Sequence, residues 1–242
     1  MKRFHQKSPL FFALTLIGIY VAGASITDAL SAAIGVEKAL TLPFFAAFSL
    51  ILLLFLKKEG LFAEYGLCKP AYPARRFLFY LPLLPALSCN LWFGVTLNYT
   101  PLESVLHLLS MLLVGFLEEL IFRGFLFRAM AQKGVKSAMI VSALTFGIGH
   151  MVNLINGSGA TLIENLCQVL GACAFGLLFV YLFYKGKSLL VCIAAHSIIN
   201  GLSVFAVSPT SGGVIASGIA MTLFALGYTL LLTKTLKSAS SQ

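Results

Sequence analysis

The chain has 242 residues, of which 59% are hydrophobic and only 10% are charged, and its mean hydropathy is +0.96. Soluble globular domains contain about 45–50% apolar and about 25% charged residues. The composition therefore excludes an ordinary cytosolic enzyme, a disordered chain and a secreted disulfide scaffold. The net charge of +9 does not indicate nucleic-acid binding, because the basic residues lie mostly between apolar runs, where they act as topology signals. We predict an integral membrane protein.

Eight apolar runs are long enough to predict transmembrane helices, since about 20 apolar residues span a bilayer. They cover Leu10–Leu30, Ala39–Leu56, Phe77–Leu97, Val105–Met130, Ser137–Ile155, Leu166–Tyr184, Ser188–Val207 and Val214–Leu232. Membrane-barrel strands would be about 10 residues long and would alternate apolar with polar side chains. The fold predicted is therefore an all-α polytopic bundle, built as one integral-membrane domain over residues 1–242.

Lysine and arginine predict the orientation of the bundle. Basic residues precede the first run and follow the second, fourth, sixth and eighth runs, whereas the opposite side keeps only Lys38. The positive-inside rule then places both termini in the cytoplasm. An alternative is a cleaved signal peptide, with an apolar region over Leu10–Val21 and a small-residue site at Ala22–Ala24.

The fourth run contains Glu118, Glu119 and Arg123. Ionisable side chains within a membrane helix cost at least about 2.5–3.5 kcal/mol each on insertion scales, and they indicate a functional site by default. Glu119 and Arg123 are four residues apart and share a helix face, where they can form an ion pair. Glu118 is turned about 100° away and can face a cavity.

Two further runs carry matching pairs at the same spacing. In the fifth run the Phe146 ring would lie beside His150, and in the seventh His196 and Asn200 would point the same way. At 1.5 Å per residue, Glu118, His150 and Asn200 would each lie about 20 Å from the cytoplasmic end, with His196 one turn shallower. Three helices therefore bring a carboxylate, two imidazoles and an amide to nearly one level.

This set of groups fits peptide-bond hydrolysis within the membrane. A glutamate beside a histidine can hold a water and act as its general base, and histidine and asparagine donors can stabilise an oxyanion. The alternative is that the polar groups only bind one another and hold helices together. His107 and His5 have no such partners and are interpreted as structural, and Asp28, Glu103 and Glu164 as interfacial or helix-terminal groups.

The motifs EExxxR, FxxxH and HxxxN, in this order on separate apolar helices, resemble the CPBP family of intramembrane proteases. This family includes CAAX prenyl proteases and bacteriocin-processing or abortive-infection proteins. The resemblance covers about residues 105–207. It implies that Glu118 and His150 activate water and that His196 and Asn200 stabilise the oxyanion, while Glu119, Arg123 and Phe146 organise the site.

Family members are often described as metalloproteases, but the resemblance to the CAAX type favours a glutamate-dependent hydrolase without a cofactor. If zinc is bound, its ligands would be Glu118, His150 and His196, although the zincin motif HExxH is absent. The five cysteines form no CxxC pair and are interpreted as small apolar packing residues.

The resemblance implies a protein or peptide substrate, whether lipidated or a bacteriocin or pheromone precursor. We expect the cavity to open toward the cytoplasm or laterally to lipid, and a bacterial plasma membrane is the preferred location. One alternative function is a non-catalytic membrane scaffold or a bacteriocin self-immunity protein. Another is a proton-relaying transporter, which would require inverted repeats that the sequence lacks.

Overall fold

The computed structural model of the protein describes residues 1–156 and 159–238 and is built almost entirely from helices. The helices are α1 (Lys2–Lys7), α2 (Pro9–Ala33), α3 (Thr41–Glu59), α4 (Leu83–Leu87), α5 (Pro101–Glu118), α6 (Arg128–Ala131), α7 (Val135–Gly149), α8 (Val152–Ile155), α9 (Leu162–Gly186), α10 (Leu190–Ser203) and α11 (Ser211–Ser238). In the described ranges, extended pairing is limited to an isolated antiparallel bridge between Val95 and Ala206. The predicted all-α polytopic fold is confirmed.

Six helical stretches in the described residues are long and apolar enough to cross a membrane. They are Pro9–Ala33, Thr41–Glu59, Pro101–Ala131, Val135–Ile155, Leu162–Gly186 and Ser211–Leu236. The third of these joins α5 to α6 through a π-helix over Glu119–Phe127. The predicted seventh span is the shorter apolar helix α10 of 14 residues, whose length of about 21 Å is less than the hydrocarbon thickness of a bilayer.

Residues 77–97 do not form the single helix predicted for them. The chain folds there as a 3₁₀ segment over Ala74–Tyr80, the five-residue α4 and a further 3₁₀ turn over Cys89–Leu91. Pro82 and Pro85 each lack a backbone donor and restrict the preceding residue. The left-handed residues within and around this segment are Leu78, Phe79, Tyr80 and Gly94. Because the run is apolar throughout, its hydropathy predicted one continuous helix and gave no sign of these breaks.

The ends of two membrane helices are fixed by capping boxes, in which a threonine and a glutamate bind each other's backbone N–H groups. Thr100 and Glu103 form one at the start of α5, and Thr161 and Glu164 form the other at the start of α9. The prediction that Glu103 and Glu164 are interfacial or helix-terminal groups is confirmed for these two residues. At the other end of a span, α3 stops at Gly60, which adopts a φ of 69°.

Helices α5 and α10 lie against each other at van der Waals distance, and this contact positions the site. A Cβ atom built on Gly115 of α5 would lie 2.6 Å from the backbone nitrogen of Ser197 on α10. Ser197 Oγ also donates a 2.8 Å hydrogen bond to the carbonyl of Leu112. Only glycine at position 115 allows the two backbones to come this close.

Candidate active site

Glu118 is the last residue of α5, and the backbone widens into the π-helix directly after it. In a π-helix the hydrogen bonds run from residue i to residue i+5, and such segments occur frequently at functional sites. Every residue of the π-helix is buried. The two carboxylates of the motif therefore stand on either side of a change in helix geometry.

The Glu118 carboxylate has two direct partners, one on each oxygen. The Tyr20 hydroxyl of α2 donates a 2.8 Å hydrogen bond to Oε1. His196 Nε2 of α10 lies 3.4 Å from Oε2. The Glu118 side chain remains 13% exposed, so the carboxylate is oriented by protein groups and still reaches the cavity described below.

Glu119 lies on the opposite side of the His196 ring. Its Oε1 is 2.8 Å from His196 Nδ1 and 3.3 Å from Arg123 Nη1, and both Glu119 and Arg123 are fully buried. Because a carboxylate only accepts, the short contact places the proton on Nδ1. His196 is thus held with Nδ1 toward Glu119 and Nε2 toward Glu118.

The Arg123 guanidinium has no hydrogen-bond partner for any of its three nitrogens within the described part of the chain. It stacks instead on the Phe146 ring, with Cζ 4.0 Å from the ring centroid. A desolvated cation–π contact of this kind is worth about 2 kcal/mol. The charge of Arg123 is therefore neutralised by Glu119 and by the face of an aromatic ring.

The Phe146 ring also packs against both histidine rings. Its ring centroid is 5.1 Å from that of His150 and 5.7 Å from that of His196, with near-perpendicular planes in both pairs. The structure thus places Phe146 between Arg123 and the two imidazoles. The Phe146 ring lies beside His150, as the i, i+4 spacing predicts, and its role in organising the site stays a prediction.

His150 follows the last residue of α7 and is partly buried. Its Nδ1 lies 3.1 Å from the carbonyl oxygen of Phe146. A carbonyl oxygen accepts hydrogen bonds only, so Nδ1 carries the proton and Nε2 of a neutral ring is left as an acceptor. Asn165, which is fully buried on α9, donates to the His150 carbonyl at 3.1 Å and fixes the end of α7.

A cavity of about 500 Å³ connects these groups. Glu118, His150, His196 and Asn200 all line it, as does Tyr20. Its volume lies within the range of about 300–1,000 Å³ that is typical of small-molecule and cofactor sites. The carboxylate, the two imidazoles and the amide expected from the sequence thus face one space.

Within the described residues, no direct hydrogen bond joins Glu118 to His150. Glu118 binds Tyr20 and His196, and the His150 side chain binds the Phe146 carbonyl. Glu118 and His150, which we expected to bind one water between them, therefore line the cavity without contacting each other directly.

The cavity extends from Glu118 away from the end of the bundle where α1 and most of the lysines and arginines lie. From Glu118 it runs past Met111 on α5 and past Asn153 beyond α7, and it reaches Asp28 on α2 and Ser203 at the end of α10. These residues lie toward the end of the bundle that contains Lys38. The positive-inside rule makes the opposite, lysine- and arginine-rich end cytoplasmic, so this direction argues against the cytoplasmic opening and leaves the expected lateral opening to lipid as a prediction.

Tyr20 is a site residue that the sequence analysis did not identify. It belongs to α2, which carries no motif, and it meets a residue 98 positions away. The only available signal was a tyrosine within a long apolar run. His107 and His5 lie outside the cavity lining: the His107 ring stacks on Tyr99 at 4.0 Å, and His5 bonds Tyr65.

The proposed zinc ligands do not fit a metal ion as the side chains stand. In the part of the chain that the structure describes, no three His, Cys, Asp or Glu residues are grouped so that they could hold a metal. The hydrogen bond between His196 Nδ1 and Glu119 does not itself argue against a metal, since a zinc-bound histidine commonly donates its other ring nitrogen to a carboxylate. A catalytic zinc requires three protein ligands at about 2 Å, and the side chains as they stand do not supply these.

Residues 100–202 match the family model described as Rce1-like, type II CAAX prenyl endopeptidase. The matched segment contains every motif residue from Glu118 to Asn200, and it confirms the resemblance drawn from the motifs. No curated protein and no solved structure matches the chain.

Proposed function

We propose, on the premise that residues 100–202 belong to the Rce1-like family of type II CAAX prenyl endopeptidases, that this protein hydrolyses peptide bonds at the cavity beside Glu118. The family is one of peptidases, and the apolar helices make the chain a multi-pass integral membrane protein. Its partners are accordingly the lipid bilayer and a protein or peptide substrate. The catalytic residues and their roles are our assignment.

Glu118 and His150 are assigned to the attacking water. His150 Nε2 and the Glu118 carboxylate are both acceptors, because His150 Nδ1 donates to the Phe146 carbonyl. Two acceptors that line one cavity can orient both hydrogens of a water and leave its lone pair free to attack. Glu118 then serves as the general base.

His196 is assigned to the oxyanion. Both of its nitrogens face carboxylates, at 2.8 Å from Glu119 and 3.4 Å from Glu118. A doubly protonated ring makes the buried set neutral, since Glu118 and Glu119 then balance Arg123 and His196. A neutral set avoids the large cost of a buried unpaired charge.

The same arrangement supplies an oxyanion donor when it is needed. When Glu118 accepts the proton of the attacking water, it loses its negative charge and no longer holds the Nε2–H of His196. That N–H can then donate to the tetrahedral oxygen, together with the Asn200 amide. A preorganised donor of this kind contributes about 10²–10³ in rate.

The reaction closes with the same groups. Water oxygen forms the bond to the carbonyl carbon, and its proton passes to Glu118. The tetrahedral intermediate collapses, the C–N bond breaks and Glu118 returns the proton to the leaving amine. Tyr20 holds the carboxylate in position through its hydrogen bond to Oε1.

The observation that supports this function best is the placement of Glu118 between the Tyr20 hydroxyl and the His196 ring on the wall of a cavity. A purely structural ion pair would have no need of open space beside it. The second pair, Glu119 and Arg123, has no such space and is fully buried. Glu118 therefore borders the cavity, whereas Glu119 is buried beside Arg123 and His196.

The test compares peptide termini in membranes and culture fluid between cells expressing the wild type and cells expressing Glu118→Gln at equal levels. Glutamine keeps the size of the side chain and cannot act as a base. We expect specific new termini to disappear and an uncut precursor to accumulate in the variant. Identical termini, together with a phenotype that persists in Glu118→Gln and disappears on deletion, would instead support a scaffold or immunity function.

We further propose that the hydrolysis requires no metal. Purified protein is assayed before and after treatment with EDTA and with 1,10-phenanthroline, using a precursor identified in the comparison of termini. Turnover should stay within twofold. Loss of turnover that Zn²⁺ restores would overturn the metal-free assignment and leave the peptidase assignment intact.

A further inference from the structure

The two ends of the bundle differ strongly in charge. Apart from Arg123 and Lys38, every lysine and arginine in the sequence lies in the termini, in the connections or in the helix turns at the α1 end. At this end Lys2 pairs with Glu59 at 2.7 Å. The opposite end holds Glu37, Glu103 and Glu164, and its Lys38 is paired with Asp28 at 2.7 Å. We call these the basic end and the acidic end.

Each helix that lines the cavity indicates the same direction of opening. On α2, which runs away from the basic end, the lining begins at Tyr20 and continues to Asp28. On α5, which runs toward the basic end, the lining lies before and around Glu118 and reaches back to Met111. On α10 it continues from His196 to Ser203. The cavity therefore extends from the site to the acidic end.

The route from the site to the basic end is filled by packed side chains. Below Glu118 the π-helix buries Leu120, Ile121, Arg123 and Phe125, each at most 2% exposed. A separate cavity of about 380 Å³ at the basic end is lined by His5, Arg128 and Lys187 among others. None of the assigned catalytic residues lines that second cavity.

The rim at the acidic end is polar. Its exposed or partly exposed side chains are Ser25, Asp28, Asn153, Asn156, Gln168 and Ser203. Amide and hydroxyl groups can hydrogen-bond an extended peptide backbone on both its donors and its acceptors. Some of these groups bond one another, as Asn156 Nδ2 does to Ser25 Oγ at 2.9 Å and Asn153 Nδ2 to Gln168 Oε1 at 3.0 Å. A lipid chain would offer no partner to their remaining donors and acceptors, whereas a peptide backbone would.

We infer that the cavity opens on the non-cytoplasmic face of the membrane and that the substrate is an extended, unlipidated polypeptide segment presented from that face. The basic end is the cytoplasmic one under the positive-inside rule, so the acidic end with the polar rim faces the other side. The substrate class rests on the proposed peptidase function. The direction of opening does not.

Cysteine labelling tests the direction without any measurement of activity. In a chain whose five native cysteines are replaced by alanine, Asn156→Cys marks the rim, and Lys133→Cys is the matched exposed position at the basic end. A membrane-impermeant maleimide is applied to intact and to permeabilised cells. We expect Asn156→Cys to react at least tenfold faster than Lys133→Cys in intact cells, and the two to react similarly after permeabilisation. Preferential labelling of Lys133→Cys in intact cells would overturn the inference.

Val114→Cys extends the test into the cavity, because Val114 lines it one helical turn before Glu118. A cationic methanethiosulfonate reagent added to intact cells should modify this variant. A position that stays unmodified in intact cells and reacts after permeabilisation would show that the cavity is entered from the cytoplasm.

Reporter fusions provide the same answer if the cysteine-free chain does not fold. Alkaline phosphatase and green fluorescent protein are fused separately to the C-terminus of the native chain, which leaves α11 at the basic end. Fluorescence without phosphatase activity is expected, and the reverse result would place the basic end outside the cytoplasm and overturn the inference.

The comparison of termini then tests the substrate class. Cuts that depend on Glu118 should fall in segments located on the non-cytoplasmic side. Cuts confined to cytoplasmic or lipid-bearing segments would refute the substrate class. Absence of any dependent cut would refute the peptidase function and leave the labelling result standing.

Discussion

Tyr20 donates a hydrogen bond to Glu118 from a helix that carries none of the sequence motifs. A tyrosine that only filled space would place its ring in the core and leave the hydroxyl to any acceptor. Here the ring is buried, at 7% exposure, and the hydroxyl is directed to the carboxylate oxygen that does not face His196. Under the proposed function, this contact makes Tyr20 a positioning residue for Glu118.

Tyr20→Phe should therefore lower turnover. A hydrogen bond to a charged group is worth about 1.5–3 kcal/mol, so we expect kcat to fall about tenfold to a hundredfold, with KM changed less than threefold. The measurement is steady-state kinetics on a precursor peptide, with thermal unfolding of both proteins in detergent.

Tyr228→Phe is the matched control, because it also removes a 2.8 Å hydrogen bond, here to the Phe77 carbonyl, and Tyr228 does not line the cavity. It should keep kcat within twofold. If both variants lose turnover and thermal stability in parallel, Tyr20 acts through folding alone.

Among the helices, it is the contact between α5 and α10 that fixes the geometry of the site. A Cβ on Gly115 would lie 2.5 Å from Ser197 Oγ and 2.7 Å from its Cα. Overpacking of this kind costs about 1–3 kcal/mol. Because Glu118 lies one turn after Gly115 and His196 directly precedes Ser197, any separation of the helices moves the Glu118 carboxylate away from the His196 ring.

Gly115→Ala should lower kcat more than tenfold and lower the thermal midpoint. Gly18→Ala on α2 adds the same methyl group where nothing lies within 4 Å, and it should leave both quantities unchanged. Kinetics and unfolding scans of the two purified variants make the comparison. Full turnover in Gly115→Ala would show that α5 and α10 have room to separate without loss of the site.

Local geometry at the site could be predicted from sequence, whereas contacts between distant segments could not. The spacing of Glu119 and Arg123 indicates an ion pair, and the structure places their charged groups 3.3 Å apart. The same reasoning has no access to Tyr20, since the approach of α2 to α5 depends on packing across 98 residues. In residues 77–97, Pro82 and Pro85 indicated a break in the helix, but the prediction of a single helix followed the apolar character of the run instead.

At the scale of the whole molecule, the first membrane helix helps to build the proposed site. Phe12, Leu16 and Tyr20 of α2 are buried against the rest of the bundle. Cleavage after Ala24 would remove all three of these side chains and the donor to Glu118. The signal-peptide alternative is therefore difficult to reconcile with an assembled site.

We expect the active protein to retain residues 1–24. Intact-mass measurement of protein purified through a C-terminal tag should give the mass of the uncleaved chain, with allowance for removal of the initiator methionine. Recovery of an active protein that begins at residue 25 would refute both the retention of α2 and the positioning role of Tyr20.

Because of the π-helix over Glu119–Phe127, the number of residues in this span affects the geometry of the site. A π segment accommodates an additional residue relative to an α-helix of the same rise, and each residue gained or lost turns everything beyond it by about 100°. Removing one residue would restore regular α-helical bonding and would turn Glu119 away from His196 or Arg123 away from Phe146. Apart from Glu119 and Arg123, substitutions in this stretch would be tolerated according to size, whereas insertions and deletions would not. Relatives should therefore vary in residue type at its apolar positions while keeping the spacing constant.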